Sequence, residues 1–255
     1  MRQLNWTNTL FIGAVHALAV VAVIYRVTVN FSWWTIGLAS VWWFLCGLAV
    51  TGGYHRLFSH KAYESSAVLK LVYLCFGAAA VQNSALKWSA DHRRHHANTD
   101  QEADPYNIRR GFWWAHIGWV LSKEPSDEFD AESVKDLQAD PLVRFQHRYY
   151  VPLAFLFALV LPAVIGLAWG DALGCVLVVC FLRLAFQWHS TFAINSFAHL
   201  IGNQPYCRGT SARDSLWTAL ISFGEGYHNF HHRFQSDFRN GFRSRALSLA
   251  SFPIW

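Results

Sequence analysis

V-T-V-N-F-S-W-W-T-I-G-L-A-S-V-W-W-F-L-C-G-L-A-V-T-G-G-Y-H, Val27–His55, contains no charged side chain and ends on the first histidine of H-R-L-F-S-H (His55, His60). A hydrocarbon core is crossed by roughly 20 helical residues. The run is therefore long enough to span a bilayer and to deliver histidines to its edge. Two further uncharged runs, Gln3–Tyr25 and Tyr149–Gly170, are of similar length, and a fourth apolar stretch runs from Ala172 to about Ala193. That stretch carries Arg183, which is costly in lipid and marks a position that is buried in protein or snorkels to the interface. These segments predict four transmembrane helices, at about residues 8–27, 33–54, 150–169 and 172–193.

Composition agrees. Hydrophobic residues make up 53% and charged residues 15%, with thirteen Trp and twenty Phe, so the chain does not read as soluble. Leu71–Leu86 is a shorter apolar stretch between Lys70 and Lys87, expected to lie at the interface or under a site. Phe112–Leu121 has the aromatic richness of an interfacial helix, and the acidic segment Glu124–Asp140 reads as a surface loop. The first run lacks a cleavage site and is not read as a signal peptide. Most Lys and Arg fall between the second and third spans or after the fourth. The positive-inside rule therefore puts both termini and a helical cap, residues 55–149 and 200–242, in the cytoplasm. For a bacterial chain, that is the inner membrane. The net charge of +5 reads as attraction to anionic headgroups, with no groove-reading element for nucleic acid. The five cysteines form no C-x-x-C pair, which argues against disulfides and thiolate sites.

Two more histidine clusters follow the first: H-R-R-H-H (His92, His95, His96) and H-N-F-H-H (His228, His231, His232). Both have histidines at i, i+3 and i+4, which a helix places on one face. In H-R-L-F-S-H the spacing is i, i+5, which shares no α-helical face; a chain reversal near Leu57 is expected to bring the two rings together. His16, His116 and His147, which stand alone, read as hydrogen-bonded packing residues. Eight clustered histidines exceed the needs of one ion, so two metals are expected. Imidazole suits Zn, Cu, Fe and Ni alike.

Taken together, T-G-G-Y-H-R-L-F-S-H (Thr51–His60), V-Q-N-S-A-L-K-W-S-A-D-H-R-R-H-H (Val81–His96), D-P-Y-N-I-R-R-G-F (Asp104–Phe112), F-Q-H-R-Y-Y (Phe145–Tyr150), T-F-A-I-N-S-F-A-H (Thr191–His199) and G-E-G-Y-H-N-F-H-H (Gly224–His232) resemble the membrane fatty-acid desaturases of the acyl-CoA, Δ9 type. The resemblance implies an all-α integral membrane protein whose cytoplasmic cap carries a di-iron site, in a single domain over residues 1–242. Residues 243–255 depart from the family and read as an altered or truncated tail. It adds His199 as a ninth ligand and Asn195 as a ligand through water. One iron would take His55, His60, His92, His96 and His232, the other His95, His199, His228 and His231. The implied reaction is oxygen-dependent insertion of a cis double bond into a saturated acyl thioester, with dioxygen as co-substrate. Electrons would come from a separate ferredoxin or cytochrome b5-like protein with its reductase.

The same resemblance implies that Gln82, Asn83, Trp88 and Trp119 line the acyl tunnel, though core packing also explains the tryptophans. Arg109, Arg110 and Lys123 would meet carrier phosphates or lipid headgroups, while Asp91 and His189 would stand behind the ligands. Ala90 occupies a position where animal members carry a CoA-contacting arginine, so long-chain acyl-CoA, acyl-carrier-protein and lipid-linked substrates all stay open. A related membrane di-iron hydroxylase, and a metal-binding protein without turnover, are the competing readings.

Overall fold

The computed structural model describes residues 3–124 and 129–239; the tail expected to be atypical, residues 243–255, lies outside the described residues. Four helices are long and apolar enough to cross a membrane: α1 (Trp6–Thr28), α2 (Trp33–Ser59), α6 (Tyr150–Trp169) and α7 (Ala172–His199). Between and after them stand α3 (Ala67–Ala79), α4 (Ala85–Ala97), α5 (Pro141–Arg148), α8 (Leu216–Ile221) and α9 (His228–Arg233). Two short strands, β1 (Gln3–Leu4) and β2 (Ser122–Lys123), pair antiparallel and tie the start of α1 to the cap.

Local sequence starts these helices where expected. Asn5, Ser32, Ser66 and Ser84 each accept a hydrogen bond from a backbone N–H of the first turn of α1, α2, α3 and α4, satisfying donors that a helix leaves orphaned. α1 and α7 bury Val15, Ala19, Leu184 and Trp188 against each other. α3 crosses α2 closely at Gly53 and Gly77. A Cβ on Gly53 would lie 2.7 Å from Tyr73 Cβ, and one on Gly77 would strike the Tyr54 ring.

Three sequence expectations change. α2 does not end near residue 54 but continues to Ser59, and its last part, Ala49–Ser59, winds as a π-helix. In that winding residues i and i+5 are hydrogen-bonded neighbours; His60 N donates to His55 O at 3.1 Å. The i, i+5 spacing thus brings both rings to one side without a chain reversal. Second, Leu71–Leu86 is two helices, not one, broken at residues 80–84, where Val81 and Asn83 adopt positive φ (52° and 73°). Arg183, buried as anticipated, donates to Ala79 O at 3.0 Å and Trp188 Nε1 donates to Ala80 O at 3.0 Å. These bonds satisfy carbonyls at the end of α3. Third, the acidic segment is not a free loop: it carries helical turns at Glu132–Val134 and Lys135–Ala139, and Val134 and Leu137 are buried in the core. Residues 112–121 are helical, as read.

Candidate metal centre

All nine histidines implied by the motifs come together, in two groups whose ring nitrogens lie within 4.8 Å of one another: His55, His60, His92, His96 and His231 in one, His95, His199, His228 and His232 in the other. Each i, i+3, i+4 cluster divides between the groups. In α4 the i and i+4 rings (His92, His96) join the first group and His95 the second. In α9 His228 and His232 join the second group and His231 the first. Along a helix, i+4 lies about 40° to one side of i and i+3 about 60° to the other, so one helix can serve two centres. The division implied by the resemblance is corrected accordingly: His231 belongs with the first group and His232 with the second.

The donor set fits metal. A neutral imidazole has one N–H and one lone pair. His55 Nδ1 lies 3.0 Å from Glu225 Oε2, and His95 Nδ1 lies 2.8 Å from Asp104 Oδ1. His199 Nδ1 is 2.7 Å from Ser211 Oγ, whose own proton goes to Asp100. The proton therefore sits on Nδ1 of His95 and His199, whose Nε2 atoms point their lone pairs inward. Nε2 atoms approach one another at 2.9 Å (His55–His231), 2.8 Å (His60–His92), 2.9 Å (His96–His231) and 3.1 Å (His228–His232). His199 Nε2 is buried with no hydrogen-bond partner. Converging lone pairs repel unless a cation lies between them. Several of the rings are also held in the neutral, ligating form. Burial, then His55, then the Arg93 and Arg56 guanidinium groups push the His60 imidazole down to about 2. Burial, reinforced by neighbouring histidines, holds His92, His96, His228, His231 and His232 well below the usual range.

Beside both groups lies a largely apolar cavity of about 550 Å³, walled by His55, His92, His95 and His228. Gln82, Asn83, Trp88, Trp119, Asp91 and Asn195 all line it. Gln82 Nε2 donates to Thr191 Oγ1 at 3.0 Å, and the Asn83 N–H donates to Tyr150 Oη at 3.1 Å. Arg109, Arg110 and Lys123 are not among its lining residues. Arg110 pairs with Glu124 at 2.7 Å and lies 3.3 Å over the Trp114 ring.

Asp91 forms an ion pair with Lys87 at 2.6 Å. His189 is drawn elsewhere, into a chain in which it meets His16 Nε2 at 3.0 Å and His116 Nε2 at 2.9 Å, while His116 Nδ1 meets Ser196 at 2.9 Å. The groups that do hold the rings, Glu225, Asp104 and the Asp100–Ser211 pair, were missed in the sequence. Glu225 and Asp104 stand inside the quoted G-E-G-Y-H and D-P-Y-N segments, which was the available signal. Buried Arg56 completes the set, 2.8 Å from Glu225 Oε1.

Residues 31–237 match the model of the family "Fatty acid desaturase". The chain is 42% identical to the "Probable acyl-CoA desaturase" of Schizosaccharomyces pombe over 95% of its own length and 50% of that protein's. It is 36% identical to the human "Stearoyl-CoA desaturase", covering 91% of this chain and 66% of the human protein. With the "sn-1 stearoyl-lipid 9-desaturase" of Anabaena variabilis it shares 34% identity over 94% of this chain and 85% of that protein. The chain belongs to the fatty acid desaturase family. It spans half the length of the first of these relatives.

Proposed function

We propose that this protein is an oxygen-dependent fatty acyl desaturase that inserts a cis double bond, at Δ9, into a saturated long-chain acyl thioester. What carries the reading is the apolar cavity of about 550 Å³ that has histidines of both groups in its wall. An unfunctionalised chain offers no polar handle, so selecting one C–C bond requires a shaped dry cavity beside the oxidising centre. Two iron ions, with dioxygen and two electrons, supply the oxidation that removes two hydrogens from adjacent methylenes.

The protein's own residues do the rest. The nine histidines hold the irons, and Asn195 contributes through water. The Gln82–Thr191 hydrogen bond and the Asn83–Tyr150 contact stiffen the cavity wall where the chain must bend, and Trp88 and Trp119 flank it. Arg109, Arg110 and Lys123 meet the carrier outside the cavity. The yeast and human relatives are named for acyl-CoA or stearoyl-CoA and the cyanobacterial one for stearoyl-lipid, so CoA is the carrier favoured here. Residues 1–242 act as one membrane domain with the histidines on the cytoplasmic side, where a separate ferredoxin or cytochrome b5-like donor delivers electrons.

Expression in a host without its own desaturase, followed by mass spectrometry of the fatty acids, tests this. A new monounsaturated species is expected, absent in His95→Ala. A hydroxylated product, or no product from protein that holds two irons, would overturn it.

A further inference from the structure

The two histidine groups lie in different charge fields. Behind the five-histidine group the carboxylate is Glu225, and Arg56 Nη2 sits 2.8 Å from it, both side chains buried. Thr51 also donates to Glu225. The charge of that carboxylate is thus matched by a guanidinium. Behind the four-histidine group stand two carboxylates. Asp104 meets His95 at 2.8 Å and takes its remaining hydrogen bonds from the backbone N–H groups of Asp100 and Tyr106, each at 3.0 Å. Asp100 accepts from Ser211 N at 2.6 Å and from Ser211 Oγ, which in turn meets His199. Both are buried, at 7% and 2% exposure for Asp100 and Asp104, and neither pairs with a Lys or Arg among the described residues. Backbone N–H groups stabilise such carboxylates without cancelling their charge.

Resting on the desaturase reading above, we infer that Asp100 and Asp104 make the four-histidine group the harder of the two to reduce, so that the first electron from the donor enters at the five-histidine group. Nearby negative charge favours the more highly charged ion, and a carboxylate on Nδ1–H makes an imidazole a stronger donor. Glu225 brings a like charge to within 3.0 Å of His55, but Arg56 opposes it. The step is a single electron transfer: the external donor loses one electron, one ferric ion at the five-histidine group becomes ferrous, and no covalent bond is made or broken.

The test uses the full chain, purified and loaded with 57Fe, followed by Mössbauer spectroscopy during stepwise reduction with dithionite. Asp104→Asn and Ser211→Ala each mark the ferric doublet of the four-histidine group by shifting it, and Glu225→Gln marks the other. At one electron per protein, the doublet that moves in Ser211→Ala is expected to persist while its companion has turned ferrous. In Asp104→Asn the two are expected to lose intensity together. Reduction of the Ser211-marked doublet first, or equal loss of both in the unmodified protein, would overturn the inference. Either marker at the four-histidine group suffices if a variant fails to fold. Protein that binds no iron, or yields no unsaturated product in cells, would instead defeat the desaturase reading, which the order of reduction does not test.

Discussion

At His95 one carboxylate decides which nitrogen faces the other rings. Asp104 Oδ1 sits 2.8 Å from Nδ1, with both side chains buried, so the tautomer is fixed before any metal arrives. Losing such a partner ordinarily costs about 10–100-fold in metal affinity. Asp104→Asn should therefore weaken metal binding by about that factor while circular dichroism stays unchanged; competition with a chelator measures it. An unchanged affinity would mean that the ring is oriented by packing alone. The histidines themselves were legible, because clustered imidazoles have few other uses in an apolar chain. Their carboxylate partners were not. A lone Asp or Glu beside a motif reads equally well as a surface group, and Asp91, beside His92 in sequence, turns out to pair with Lys87. Glu225 reaches His55 only through tertiary folding.

Among the elements, the π-wound end of α2 carries the most consequence. It turns a spacing that no α-helix can use into two rings with centroids 4.9 Å apart. The winding is held from outside by α3, whose Tyr73 lies on Gly53. Gly53→Val overpacks this crossing and should destabilise the fold by about 1–3 kcal/mol. Iron content should fall toward one per chain as the five-histidine group is displaced; thermal unfolding in detergent and metal analysis read the two effects. Retention of two irons at unchanged stability would show that the crossing can yield. A second prediction concerns the segment that docks through Asp136. Burial raises its carboxyl, but hydrogen bonds from Arg93 and Lys61 outweigh this and hold it below the usual range. A depressed carboxylate contributes stability above about pH 4 that is lost as pH falls further. Asp136→Asn should accordingly cost about 1 kcal/mol at neutral pH, the same at pH 8, and flatten the acid limb of the stability profile below about pH 4. The four long helices could be read from apolar length, since bilayer thickness dictates it. The break between α3 and α4 was missed although polar Gln82, Asn83 and Ser84 interrupt the run and Ser84 caps α4; the bonds from Arg183 and Trp188 that stabilise it come from another helix and could not be read.

At the scale of the molecule, the two histidine groups and a second polar network stand toward opposite ends of α7. α7 is 28 residues long, about 40 Å of helix, with His199 at one end and Asp171 just before the other. There Asp171 accepts from Arg26 at 2.6 Å, from Thr35 at 2.6 Å and from Tyr25 at 3.2 Å, joining α1, α2 and the α6–α7 turn. This network touches no histidine of either group, so its work is to fix the relative positions of helices, two of which, α2 and α7, carry His55 and His199 toward their far ends. Breaking one member leaves a buried charge. Asp171→Ala strands the Arg26 guanidinium and should cost about 3–5 kcal/mol, whereas replacing both, as Arg26→Met with Asp171→Leu, should recover most of that loss. Thermal unfolding in detergent distinguishes the two variants. If the double variant is as unstable as the single one, the network matters for its directed hydrogen bonds to Thr35 and Tyr25 and not for charge balance. If the double variant regains stability but binds iron less well, the same bonds set the register of the helices, and distant histidines pay the cost in geometry.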